Sequence, residues 1–559
     1  MSFIDTLLTH DATATVILVD RNSQPGGHWT KAYPFVRLHQ ASCYYGVNSL
    51  PLSKIRDRKG NERFNVHDLA TGQEILDYYQ VVLKQFRQCG RVQFYFNCDY
   101  CRNERGEHIV TNILSGEVTK VTCNKVVAVH SNVVVPSMRG PPFPVDSNVN
   151  YAPLNDLPKH IESKKYKQFV VIGAGKTGSD AITYLLRNGI DQSAVTWITS
   201  RDVWYFVRDG LWKGYKSYRK DTMKLINPLL KVNTLHEAFL EYEKSGFMAR
   251  IDPSRRPQVF KGPTIDKEEL AGFRSIKHIV RMGRVTQITD NIIILEKGNI
   301  PLHNPAETLI VDAMADLDGT FYGYSNFPAD YQVFKDDQIN IGPALIVYNV
   351  SCSAAIIAYI ESTFADNQEM KNSMLYFGRG DYCKAEEESY FNQFYCQCKT
   401  LKAISGYAPA ANFVVNSRTY LDSPCHHHNG TLGLLWAMFG PSQLAKKADK
   451  FVEKVENGSY ADCNDCFGWA GRQLPEPKEL KVKEKSKVKS NYPHGNKSTK
   501  FRRCASADVV EDVTKGASVQ EYDDSDTISE HDSGVVNDSF KNCDDNSTEA
   551  IELQVAKST

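Results

Sequence analysis

The chain lacks most of the features that would assign it to a specialised class at a glance. Its longest apolar stretch, residues 344–360, is broken by Asn349, Ser351 and Ser353. A membrane-crossing helix needs about 20 mostly apolar residues, so this stretch reads as a buried strand, a turn and a helix. Net charge is lacking too, because 66 lysines and arginines face 66 aspartates and glutamates. No global field draws the chain to nucleic acid or to an anionic membrane, so neither a nucleic-acid partner nor a membrane span is expected. The 14 cysteines are scattered and frame no short module. Reduced thiols and a cytoplasmic setting are therefore expected. The opening MSFIDTLLTHD has neither the basic stretch nor the long apolar core of a signal peptide.

What is present is globular. With 42% hydrophobic and 24% charged residues over 559 positions, the chain has material for two or three domains. One stretch carries a strong motif. FVVIG at 169–173 is a short apolar strand, and Gly173-Ala174-Gly175-Lys176-Thr177-Gly178 matches G-x-G-x-x-G. A helix to Arg187 and a second strand over 195–199 follow. That order is the context in which the motif binds a dinucleotide. Its glycines give a tight turn, room for a pyrophosphate, and close helix–strand packing, with the pyrophosphate on the helix N-terminus. The second strand runs out at Ser200-Arg201. An arginine there accommodates a 2′-phosphate, which favours NADPH over NADH, against the pull of adjacent Asp202.

Residues 16–40 form a second centre. The apolar run Val16–Val19 ends in Asp20-Arg21, like a buried parallel strand with an acid placed for an adenosine ribose. Pro25-Gly26-Gly27 makes a tight turn where backbone can approach a ligand. His28, Trp29, Tyr33, Arg37, His39 and Gln40 then crowd polar and aromatic groups together. Elsewhere the pattern predicts a helix over 73–89, strands at 92–96, 108–114 and 125–129, and a proline-marked connection over 136–153. It also predicts a helical insertion at 205–280, a hairpin at 285–301 turning near Asp290-Asn291, a strand in 307–316, and helices through 384–450. From 471 to 559 the chain is first lysine-rich, then acidic and serine-rich, and is expected to be disordered.

These residues resemble the two-dinucleotide-domain flavoproteins of the flavin-containing monooxygenase type. The resemblance covers residues 1–470. It rests on Asp20-Arg21, Pro25-Gly26-Gly27-His28-Trp29, Tyr33 to Gln40, and the later glycine loop. It implies an α/β chain with two Rossmann-like domains, the second inserted in the first. FAD would belong to 1–158 with 307–420, NADPH to 159–306, and 421–470 would be a helical C-terminal region. It further implies an NADPH-dependent oxidoreductase, monooxygenase-like, that uses oxygen on a small molecule. Asp20, Arg21, Gly26, Gly27, His28, Trp29 and Gln40 would then contact FAD. Gly173, Gly175, Lys176, Thr177, Gly178, Ser200 and Arg201 would contact NADPH. Arg37, His39 and Asn48 would be the catalytic polar groups at the flavin.

The chain departs from that pattern twice. No G-x-G-x-x-G precedes Asp20, so a central strand and the flavin phosphate cradle are expected to be missing, as from an incomplete start. The F-x-G-x-x-x-H signature of such monooxygenases is also absent between the two nucleotide units. The alternative reading is a non-catalytic Rossmann scaffold that binds NADP(H) and engages a protein partner through its tail. Cys425-His426-His427-His428 and Cys463/Cys466 fit no standard zinc module, so no metal is expected.

Overall fold

The structure, a computed structural model, describes residues 1–53, 65–129, 135–210, 224–257, 259–260, 262–315, 332–341, 350–364, 367–376, 386–420 and 446–462. The Cys425–His428 run, the Cys463/Cys466 pair and the tail all lie outside the described residues. The fold is mixed α/β, built on parallel sheets. No helix among the described residues is long and apolar enough to cross a membrane.

Helix α1 (Ser2–His10) leads to strand β1 (Val16–Asp20). Phe3, Ile4 and Leu8 turn inward from α1. Its last turn is held by Arg91, which donates to the carbonyls of Leu8 at 2.6 Å and Asp11 at 2.7 Å. Helix α2 (Gly72–Cys89) starts at a Thr71/Glu74 capping box and stops at Gly90, whose φ of 70° is the left-handed geometry of a helix end. Ile75, Val82, Leu83 and Phe86 form its buried face. Strand β2 (Val92–Phe96) pairs parallel with β1, Val16 opposite Val92 and Asp20 opposite Phe96. An antiparallel meander follows: β3 (Cys98–Arg102), β4 (His108–Asn112) and β5 (Val118–Val121). Strand β6 (Val126–Val129) then pairs parallel with a late strand at Gln338–Ile341. Among the described residues, this first parallel sheet is thus two separate pairs.

The second sheet is continuous. Strand β7 (Tyr151–Pro153) and helix α3 (Leu157–Glu162) lead into β8 (Gln168–Ile172), buried at every position but the first. Helix α4 (Lys176–Arg187) and strand β9 (Val195–Ile198) complete the unit predicted around the glycine loop. The segment read as a helical insertion is mixed. It holds β10 (Tyr205–Val207), a helix α5 at 224–231, α6 (Leu235–Lys244), β11 (Met248–Ala249), β12 (Thr264–Ile265) and α7 (Lys267–Ser275). Its three short strands form their own sheet, in the order β11-β10-β12. Strands that short carry too little periodicity to stand out in a sequence.

The chain returns through β13 (His278–Val280) and the meander β14 (Val285–Ile288), β15 (Ile292–Leu295) and β16 (Gly298–Pro301) to β17 (Thr308–Asp312). The five-stranded order is β13-β9-β8-β17-β7, all parallel. Two of its strands, β17 and the edge strand β7, thus come from just beyond the 159–306 span. Strand β18 (Gln338–Ile341) and helices α8 (Val350–Thr363), α9 (Gln368–Ser373), α10 (Glu386–Ser405), α11 (Ala408–Asn416) and α12 at 446–456 close the described chain. Phe239 and Tyr242 of α6 pack with Tyr390 and Phe391 of α10 in one aromatic core.

Candidate functional site

The glycine loop after β8 has the form a pyrophosphate requires. Gly173 sits at φ 132°, and a Cβ there would lie 2.6 Å from the Ala313 carbonyl oxygen. A Cβ on Gly178 would lie 2.0 Å from the Gly173 oxygen, so helix and strand touch backbone to backbone. A Cβ on Gly175 would meet nothing within 4 Å. Two glycines are therefore closed by packing and the middle one faces open space. Helix α4 begins just there with no side-chain cap, so its first N–H groups are of the kind an anion can accept from. Trp197 Nε1 donates to the Gly173 oxygen at 2.6 Å and fixes the loop from below.

A buried acid and its two partners hold the far side. Asp312, at the end of β17, accepts from Arg139 Nη1 and from the Tyr151 hydroxyl, each at 2.8 Å. Arg139 also donates to the Met314 carbonyl at 2.7 Å, tying down the turn against Gly173. Ser200 and Arg201 follow β9, with Ser200 exposed. Asp202 beside them accepts from Arg281 Nε at 2.7 Å. Arg281 follows β13, the parallel neighbour of β9. Its cation neutralises the acid that opposed a 2′-phosphate. No sequence signal pairs two residues that far apart.

The second candidate site is a cleft of about 1840 Å³ lined by the start of α1, by β1 and β6, by Pro25–Trp29, and by Tyr45 and Tyr79. Asp20, Arg21, Gly26, Gly27, His28 and Trp29 all line it. Asp20 Oδ1 accepts from the Asn22 amide at 2.8 Å and its side-chain nitrogen at 2.9 Å, which orients the carboxylate. Arg21 is drawn away to a two-point pair with Asp99 at the exposed rim. Gly26 needs φ 134°, and a side chain there would strike Leu76 at 2.5 Å. Burial pushes the His28 pKa down to about 4, so the ring is neutral at pH 7. Trp29 Nε1 donates to the Tyr45 hydroxyl at 2.7 Å, and Tyr79 approaches the same oxygen at 3.3 Å.

The remaining candidates do not line that cleft. Arg37 is exposed and donates to the Leu69 carbonyl at 3.1 Å. His39 lies toward the glycine loop. Its Nδ1 accepts from the Thr264 amide at 3.3 Å, and burial together with the Lys176 and Arg208 cations pushes its pKa down to about 3. Gln40 is half-buried beside it. Lys176 pairs with Asp180, which also receives the Tyr33 hydroxyl, and Phe35 stacks on Tyr184 at 3.9 Å. The Tyr33–Gln40 segment thus docks on α4 and its surroundings. Asn48 Oδ1 accepts from the Ser417 hydroxyl at 2.8 Å. Its loop is clamped by Arg418, which donates to the carbonyls of Cys43, Tyr45 and Val47. Tyr78 closes it from the other side, accepting from the Val47 amide at 2.8 Å and donating to the Leu50 carbonyl at 2.7 Å.

No family model matches the chain. A protein of Mycobacterium tuberculosis and one of Mycobacterium bovis, each described as an uncharacterised protein, are 36% identical to it over 380 residues. The match spans 67% of this chain and 67% of each of theirs. The chain belongs to the family of these mycobacterial proteins. Among solved structures, this chain is similar to cyclohexanone-bound cyclohexanone monooxygenase at 13% identity and a TM-score of 0.41, over 82% of it and 96% of the other. S-allyl-L-cysteine S-oxygenase from Allium sativum gives 11% and 0.36 over 81% and 96%.

Proposed function

We propose that the chain is an NADPH-dependent flavoprotein oxidoreductase that acts, like a monooxygenase, on a small molecule with oxygen. The observation that carries this reading is the glycine loop at 173–178. Its closed outer glycines, open middle glycine and uncapped helix start fit a dinucleotide pyrophosphate. Arg201 and Arg281 would bind the 2′-phosphate, with Lys176 beside the loop. In the cleft, Asp20 fits a ribose and Gly26-Gly27 a close-approaching ring, while His28 and Trp29 would wall it. Bound flavin would supply the hydride acceptor and the reaction with oxygen. The chain's own part is to hold both dinucleotides and keep water from the ring.

A specific feature favours the second reading, an NADP(H)-binding scaffold. Among the described residues, no glycine loop like that at 173–178 lines the cleft. Titration of the purified chain with NADPH and NADH, alongside its visible spectrum after incubation with FAD, separates the two. The oxidoreductase reading expects NADPH to bind at least about tenfold tighter than NADH, a difference of about 1.4 kcal/mol, and flavin to be retained. NADPH binding without flavin retention favours the scaffold, and binding of neither nucleotide overturns both.

A further inference from the structure

We propose that Asp180 clasps Lys176 until a dinucleotide binds, and that Tyr33 alone holds the Asp180 carboxylate once the lysine turns to the phosphates. On the reading of 173–178 as a pyrophosphate cradle, Tyr33 and Asp180 are then positioning residues for that site. Lys176 is the first residue of α4, directly after the open Gly175. Its flexible stem and compact charge suit a phosphate. Yet its ammonium is bonded to Asp180 Oδ1, one helical turn further on. The other carboxylate oxygen, Oδ2, accepts from the Tyr33 hydroxyl at 2.5 Å. One acid thus serves two donors, one on each oxygen.

The two donors differ in freedom. Tyr33 is buried, and the segment that carries it is fixed on both sides. Just before it, the Lys31 carbonyl accepts from Ser137 Oγ and Asn155 Nδ2, each at 3.1 Å. Just after it, Phe35 stacks on Tyr184 of α4 at 3.9 Å. Burial and the Asp180 charge push the Tyr33 pKa up, so the hydroxyl keeps its proton and stays a donor to the acid. The Lys176 side chain, by contrast, is 24% exposed, while that of Asp180 is 13% exposed. The lysine is free to swing and the tyrosine is not. A carboxylate this enclosed is destabilised when it loses every partner. The Tyr33 hydrogen bond prevents that loss, so Lys176 can be exchanged for the more highly charged pyrophosphate without stranding Asp180. The clasp also keeps an unpaired cation out of the empty loop.

The test is calorimetric titration of the full chain and its variants with NADPH at one fixed salt concentration, beside thermal melts that report folding. Lys176→Met should weaken binding about tenfold, as loss of a charged phosphate contact does. Tyr33→Phe should weaken it about fivefold, because release of the lysine then leaves the carboxylate unpartnered. Asp180→Asn keeps an acceptor for the Tyr33 hydroxyl but no charge for the lysine, and should tighten binding about threefold. In a Lys176→Met background the last two effects should each shrink below about twofold, since the clasp has nothing left to hold. A segment that merely supports the fold would weaken binding equally with and without Lys176. That result overturns the proposal, as does weaker binding by Asp180→Asn. If Tyr33→Phe does not fold, Asp180→Asn and its pairing with Lys176→Met decide alone. Variants that all bind NADPH like the parent remove the clasp and leave the cradle standing. A parent chain that binds no NADPH removes both.

Discussion

At the scale of single residues, the glycines separate a structural role from a binding one. Gly178→Ala forces a Cβ to within 2.0 Å of backbone, and is expected to destabilise the chain by about 1–3 kcal/mol, read as a fall in melting temperature. Gly175→Ala has room, at φ −76°, so its stability should stay within about 1 kcal/mol of the parent while NADPH binding weakens at least about tenfold. A Gly175 variant that binds NADPH normally would remove the pyrophosphate from this loop. Arg281→Ala frees the Asp202 carboxylate beside Arg201. It should cut the NADPH-over-NADH preference by about tenfold or more, measured by parallel titrations. His39 gives a pH signature. It stays neutral in the folded chain down to about pH 3, whereas the unfolded chain takes up its proton near pH 6.5. The unfolded state therefore binds more protons between those values, so stability falls as pH drops below about 6.5 and is unaffected above it. Denaturant melts at pH 7 and pH 5 should show His39→Gln losing less stability than the parent, by about 2 kcal/mol.

At the scale of elements, the sequence spoke most clearly where local chemistry decides structure. The strand–loop–helix–strand around Gly173 was legible because each glycine has a local geometric task. So was α2, whose capping box and apolar stripe are short-range patterns. The strands β10 to β12 were not legible, because segments of two or three residues owe their form to partners across the fold. The 33–48 region shows the same limit. Its aromatic and polar crowding was visible, but Tyr33 and Phe35 meet α4 nearly 150 positions later, and the loop at 43–47 takes its shape from Arg418. Asn48 is held by that same late segment. Arg418→Met would strip donors from three carbonyls and is expected to cost about 2–4 kcal/mol. Exchange at 43–47 should quicken in step, and an unchanged rate there would show that Tyr78 alone holds the loop.

At the scale of the whole molecule, the two parallel sheets are unequal versions of one plan. The second is continuous around β8 and carries the 173–178 glycine loop at the ends of its strands, the place where ligands of such sheets bind. The first holds an acid, a glycine turn and aromatic side chains around a cleft. The lack of a glycine fingerprint before Asp20 was plain in the sequence. That the described strands of the first sheet form two pairs, β1 with β2 and β6 with β18, appears only in three dimensions. The central claim is that both sites work together, with NADPH at one reducing flavin at the other. It is tested by adding FAD to the full chain, removing oxygen and following the visible flavin absorbance on addition of NADPH. Stoichiometric flavin that bleaches faster with NADPH than with NADH is the predicted result. A chain that retains no flavin, or retains flavin that NADPH leaves oxidised, would contradict it.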